Sequence, residues 1–135
     1  MASIFSRIVS GEIPCYKIAE TADYLAFLDV RPQAKGHTLC IPKKEVDYFF
    51  DLEDPLLAGL MVFAKKVAKA LEAVVPCARI GVAVIGLEVP HTHVHLIPIN
   101  QMSDMTFKPT PVTVTPEEME ALRAAIAAKV LDFEF

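Results

Sequence analysis

The chain lacks a basic excess: 13 lysines and arginines stand against 17 aspartates and glutamates, for a net charge of -4. Proteins whose affinity comes from neutralising many phosphates carry a basic patch, so this balance argues against a nucleic-acid partner and leaves a single nucleotide as an acceptable ligand. A cysteine framework is also missing. Cys15, Cys40 and Cys77 are odd in number, widely spaced and free of any CxxC, which points to a reducing, cytoplasmic setting. The longest apolar stretches are broken by charge, as at Lys65, Lys66 and Lys69, so no segment is expected to cross a membrane. The N-terminus shows no basic segment followed by an apolar run, and repeats and low-complexity tracts are absent. What is present, 135 residues with 53% hydrophobic and 22% charged content, fits one domain over 1–135 with a sizeable core.

Local signals divide the chain into short strands and a few helices. Residues 4–9 read as a brief helix capped by Ser3 and closed by Gly11, followed by a strand over 15–20. Residues 24–29 and 37–42 are strand-like, separated by Pro and Gly punctuation, so Asp29 sits at a strand end beside a loop. Asp54 and Pro55 read as an N-cap and a first helical position, opening an apolar periodicity from Leu56 through Val75 that stops at Pro76. Residues 78–85 and 91–97, joined by a tight connection over 86–90, read as an antiparallel hairpin. Residues 100–114 look irregular, after which Thr115 and Glu118 form a capping box that opens a second helix through 130. The expectation is an α+β fold, an antiparallel sheet of about five strands with one long helix and a C-terminal helix on one side.

Three of the four histidines fall at alternate positions, His91, His93 and His95. In an extended chain successive side chains point to opposite faces, so these three project in a row. A row of imidazoles poised near neutral pH can supply a nucleophile, a proton donor and a phosphate-binding surface, or it can hold a metal. Spacing alone leaves both readings open.

The chain resembles the histidine triad (HIT) family, whose signature is three histidines alternating with mostly hydrophobic residues. Phe5 to Ile8, Gly11 to Pro14, Leu25 to Asp29, Arg31 to Ala34, Gly36 with His37, and Ile41 to Lys44 follow in family order, covering most of residues 3–98. The resemblance is nearest to the branch of nucleotide-binding phosphoramidate hydrolases, with the dinucleoside polyphosphate hydrolases more distant. It implies a HIT-like fold and an enzyme of the nucleoside phosphoramidase or dinucleoside polyphosphate hydrolase type. His93 would be the nucleophile that attacks the α-phosphorus, giving a covalent nucleotidyl-histidine. His91 would orient it, His95 would donate a hydrogen bond to phosphate or leaving group, and His37 would join them from a neighbouring strand. Asp29 would take the ribose hydroxyls of a purine, AMP-like ligand. Phe5, Ile8, Phe27, Leu28 and Val30 would wall the base, with Gly86 and Glu88 in the loop near the phosphate. The resemblance also implies a homodimer, and neither cofactor nor metal.

The departures are concentrated in one loop. Where relatives of this branch carry an Asn and a glycine-rich loop ending in Gly-Gln-Ser or Gly-Gln-Thr, this chain has Ala83, a shorter loop, Leu87 and Glu88. Losing a donor aimed at developing phosphate charge costs on the order of 3 kcal/mol of transition-state stabilisation. This admits an alternative, a nucleotide-binding or interaction protein with little turnover. Some relatives hold a structural zinc through an N-terminal CxxC, and here Ser3 and Ser6 occupy that spacing, so no such zinc is expected.

Overall fold

The computed structural model describes residues 1–133. It contains strands β1 (Lys17–Glu20), β2 (Tyr24–Leu28), β3 (Thr38–Pro42), β4 (Arg79–Ala83) and β5 (Val94–Ile99), and helices α1 (Ile4–Val9), α2 (Asp54–Val74) and α3 (Pro116–Val130). All five strands form one antiparallel sheet in the order β1-β2-β3-β5-β4, so the expected α+β architecture is present. No helix among the described residues is long and apolar enough to cross a membrane.

The three inner strands are buried along almost their whole length because both sheet faces are covered, and they read as apolar runs. Ala26, Leu28, Cys40, Val94 and Leu96 face α2 and α3 and join Leu60, Phe63, Val67, Leu71 and Ile126 in the main core. Leu25, Phe27, Leu39 and Ile41 alternate to the other face and pack with Phe5 of α1. The expectation of helices on one side therefore holds for α2 and α3 but not for α1, whose short apolar stripe is buried on the opposite face. Burying Phe5 there contributes about 1.5–3 kcal/mol, enough to dock a helix too short to stand alone.

Several boundaries differ from the sequence reading. The helix α2 begins one residue earlier, with Glu53 as an N-cap that makes no side-chain bond, and Asp54 lies inside the helix. Strand β1 loses 15–16 and β4 loses 78 and 84–85, although Leu28 N still donates to Tyr16 O at 3.0 Å and Ala78 N to Ile99 O at 3.1 Å. The largest difference concerns the histidines: β5 starts only at Val94. The amides ahead of it are engaged elsewhere, His91 N to Val89 O at 2.8 Å and Thr92 N to Val46 O at 2.7 Å. His91 and His93 thus precede the strand, and His95 alone lies on it. The capping box of Thr115 and Glu118 forms as expected. Gly59, an interior helix position where glycine costs about 0.5–1 kcal/mol relative to alanine, is required by packing: a β-carbon there would collide with the Tyr24 hydroxyl, which donates to Leu56 O at 2.9 Å.

Candidate active site

On the α1 face, β2, β3 and β5 end together at a cavity of about 400 Å³, within the size range of small-ligand sites. Strand alternation puts Phe27 and Asp29 at the end of β2, His37 and Leu39 at the start of β3, and His93 and His95 at the start of β5 on this wall. Phe5 and Ile8 of α1 close one side, and Phe107 and Lys108, from the segment after β5, close another.

Carbonyl oxygens and backbone amides fix the imidazole tautomers. The His91 carbonyl accepts from His93 Nδ1 at 2.7 Å, so the ring hydrogen of His93 is on Nδ1 and Nε2 keeps its lone pair. His91 is held in turn: its Nε2 donates to Pro42 O at 2.8 Å, and its Nδ1 accepts from Ser3 Oγ at 2.8 Å. The Ser3 hydroxyl oxygen also accepts from Ser6 N at 3.0 Å. Glu45 Oε1 accepts from Ser3 N at 2.6 Å and from Ser6 Oγ at 2.7 Å, tying the start of α1 to this arm. On the other arm Gln33 N donates to His37 Nδ1 at 2.9 Å, which places the hydrogen of His37 on Nε2. That hydrogen is given to His95 Nδ1 at 2.9 Å, leaving His95 with its hydrogen on Nε2. One arm ends in a lone pair and the other in a donor, on rings whose centroids are 4.9 Å apart.

Burial favours the neutral form of His37, His95 and His91. It pushes His37 down to about 3, with the charges of His95 and His93 adding to the effect, and His95 down to about 4, with His93 adding. His91 is lowered as well, again chiefly by burial. Burial raises the carboxyl of Asp29, against the Arg31 amide that lowers it, and the nearby charge of Glu88 raises it further.

The structure brings most of the residues singled out from sequence to one place. Phe5, Ile8, Phe27, Leu28, Asp29, Val30, His37, Glu88, His93 and His95 all border the cavity. Three placements depart from the expected picture. His91 is fully buried behind the wall and supports His93 from there. Leu28 belongs to the main core, because it alternates to the helix side. Gly86, where the connection turns with a φ of 78°, borders a second depression with Leu87, Tyr48 and Phe50 that shares only His93 with the main cavity. Asp29 also does two things: Oδ1 accepts from Arg31 N at 2.8 Å as an Asx turn, and Oδ2 lies 3.6 Å from His37 Nε2.

Glu45, Gln33, Phe107 and Lys108 escaped the sequence reading. Gln33 reaches His37 through its backbone amide, which no side-chain pattern encodes, and the latter two lie in a stretch without periodicity. The clearest signal for Glu45 is its place in the Ile41 to Lys44 match, one residue beyond its end.

Asp29, His37 and His95 bring possible metal-ligand atoms within 4.8 Å of one another. Their donor set suits zinc, but the hydrogen bonding does not. A metal on His37 Nε2 requires that ring's hydrogen to move to Nδ1, which breaks the bond from Gln33 N. At Ser3 and Ser6, both hydroxyls are likewise engaged with Glu45 and His91.

The family model for the HIT domain matches residues 10–102. The chain belongs to the HIT domain family. It is 38% identical over 133 residues to adenosine 5'-monophosphoramidase hnt1 of Schizosaccharomyces pombe, covering 96% of this chain and 99% of that protein. To adenosine 5'-monophosphoramidase HNT1 of Saccharomyces cerevisiae it is 40% identical over 98 residues, 72% of this chain and 62% of that one. Among solved structures, a Hit-like protein of Bartonella henselae involved in cell-cycle regulation superposes with a TM-score of 0.82 at 30% identity, covering 94% of this chain and 95% of the other.

Proposed function

We propose that this chain, as one domain over 1–135, is a nucleotide hydrolase acting at the α-phosphate of nucleoside phosphoramidates or related nucleotide conjugates. The observation that carries the reading is the pair of opposed tautomers, a lone pair on His93 Nε2 beside a hydrogen on His95 Nε2, in a cavity that also holds a carboxylate, Asp29. His93 Nε2 attacks phosphorus, the bond from phosphorus to the amine breaks, and the amine leaves with a proton taken from solvent. Water then cleaves the nucleotidyl-histidine, releasing the nucleoside monophosphate and the free imidazole. His95 Nε2–H supports the charge that develops on the phosphoryl oxygens. Asp29 Oδ2 accepts from ribose hydroxyls, and Phe5, Ile8 and Phe27 hold a purine base between apolar walls. The names of the two yeast relatives support this substrate class.

The loop favours a second reading, a nucleotide-binding protein of low turnover. Leu87 is 89% exposed and lies outside the cavity, and Glu88 brings a carboxylate to the side where phosphate would sit. Both readings are tested by incubating the protein with adenosine phosphoramidate and a dinucleoside polyphosphate and following AMP release for wild type and His93→Ala. Release abolished by the substitution supports the hydrolase. Tight AMP binding without release supports the second reading, and release unaffected by the substitution sinks the mechanism. We place the chain in the cytoplasm, in keeping with Cys15, Cys40 and Cys77 being unpaired. We further propose a homodimer formed by β4 and α2, whose Val82 and Val62 are exposed together with Ile85 and Leu87; a monomer at micromolar concentration in gel filtration would remove it.

A further inference from the structure

Phe107 has a φ of 51°, the one non-glycine residue with a positive φ among the described residues. A bulky side chain rarely adopts this conformation, so something nearby must hold it. After β5 the chain makes a single 3-10 turn, Met102–Met105, stabilised by reciprocal bonds between Gln101 and Asp104. Met105 rests on Gly81, where a β-carbon would press into its sulfur. Phe107 then turns back so that its ring meets His95 edge-on at 4.9 Å and His37 at 6.4 Å. The next residue is clamped by one side chain: Lys108 N donates to Gln33 Oε1 at 2.7 Å, and Gln33 Nε2 donates to Lys108 O at 3.0 Å. Val112 N adds a bond to Pro32 O at 2.9 Å. Gln33 is also the residue whose backbone amide fixes the tautomer of His37.

We infer that Phe107 is a positioning residue of the histidine site: Gln33 straps its ring over the His37–His95 pair, which keeps water from the hydrogen bond joining them. The inference rests on the reading of His95 as a neutral donor. Around His95 stand His37 from the start of β3, His93 from its own segment, Asp29 and Arg31 after β2, Glu88 of the loop and Lys108 of the strap. The negative charges of Asp29 and Glu88 favour a cationic ring; exclusion of water is the first cause that opposes it, helped by His93 and by the positive charges of Arg31 and Lys108. An apolar ring laid on the pair supplies that exclusion, and the strained backbone beneath it is retained for this reason.

Phe107→Gly separates the two roles, because glycine suits the left-handed backbone while the ring is lost. Two measurements on the full chain test it: the His95 titration by NMR, and the kcat, KM and pH dependence of AMP release from adenosine phosphoramidate. In Phe107→Gly we expect a Tm equal to or above that of wild type, a His95 pKa raised by about one unit, and a kcat lowered about tenfold with KM changed less. The acid limb of the rate profile moves up with His95. Phe107→Leu, which keeps an apolar cover, restores most of the His95 pKa, and Gln33→Ala shifts it in the same direction as Phe107→Gly. A His95 titration unchanged in Phe107→Gly overturns the inference. Should wild type release no AMP while the His95 shift is found, the catalytic reading falls and the positioning of His95 stands.

Discussion

Toward α2 and α3, strands β2, β3 and β5 present Ala26, Leu28, Cys40, Val94 and Leu96; toward α1, the same strands and their ends present Phe27, Asp29, His37, His93 and His95. The first face is held by contacts that no single residue monopolises, since apolar burial is non-directional and scales with area. The second holds buried polar groups, and each has a specified partner. Among the described residues no buried side-chain nitrogen or oxygen lacks a hydrogen bond. A change on the first face is therefore felt as stability, and a change on the second as the position of a proton.

The sharpest break between the faces comes from paired substitutions. His93→Ala removes the attacking atom and should lower AMP release on the order of 10⁴-fold while the protein stays folded, measured by initial rates with circular dichroism as control. Leu96→Ala, fully buried on the helix side, should instead cost about 2–5 kcal/mol in denaturant unfolding, with kcat of the remaining folded protein little changed. If His93→Ala unfolds the chain, or Leu96→Ala abolishes turnover without loss of stability, the division between the faces fails.

Mild acid reaches the second face through His37 and His95. Unfolded, His37 and His95 bind protons near 6.5; folded, they do so only near 3 and 4. Between these values the unfolded chain holds more protons. Stability contributed by the neutral rings is therefore whole above pH 6.5 and drains as pH falls, toward 4 for His95 and toward 3 for His37, by up to about 1.4 kcal/mol per unit for each ring. Urea unfolding at intervals across this range should show the slope, and His37→Phe should reduce it.

Smaller effects distinguish the two arms of the network. Ser3→Ala removes both the N-cap of α1 and the hydroxyl on His91, and should cost about 1 kcal/mol of stability and lower kcat, whereas Ser3→Thr keeps both. Glu88→Gln, which removes a charge facing Asp29 and an anionic substrate, should lower KM a few-fold and leave kcat nearly constant. A KM that rises instead would assign Glu88 a direct role in binding.

The fold was legible wherever a local rule had a single solution. Ser3 before a short apolar helix and Thr115 with Glu118 encode their own N-termini, and the apolar stripe from Leu56 to Val75 locates α2 to within a residue or two at its ends. Within the segment 91–97 the strand forms from Val94 onward, whereas residues 91–93 stay outside it because the amides of His91 and Thr92 go to Val89 and Val46, a tertiary choice that periodicity does not record. In the site, the side chains that touch the cavity were recognisable by type and order. Those that set its protons were not: the carbonyls of Pro42 and His91 and the amide of Gln33 are backbone groups, identical in every residue. Residues 100–114 offered no pattern, and the strap they form is visible only once Gln33 is folded against Lys108.

The two edges of the sheet are unlike. At β1, Lys17 and Glu20 pair along the strand from its two ends, Lys43 adds a second bond to Glu20, and the register slips between Lys17 and Ala19. Charges and an irregular ladder of this kind repel an incoming strand. At β4 the outer edge carries Arg79 and the exposed Val82 with none of these devices. A sheet guarded on one side only has a direction of growth, and in the proposed homodimer the two open edges would cover each other and leave only guarded edges outside.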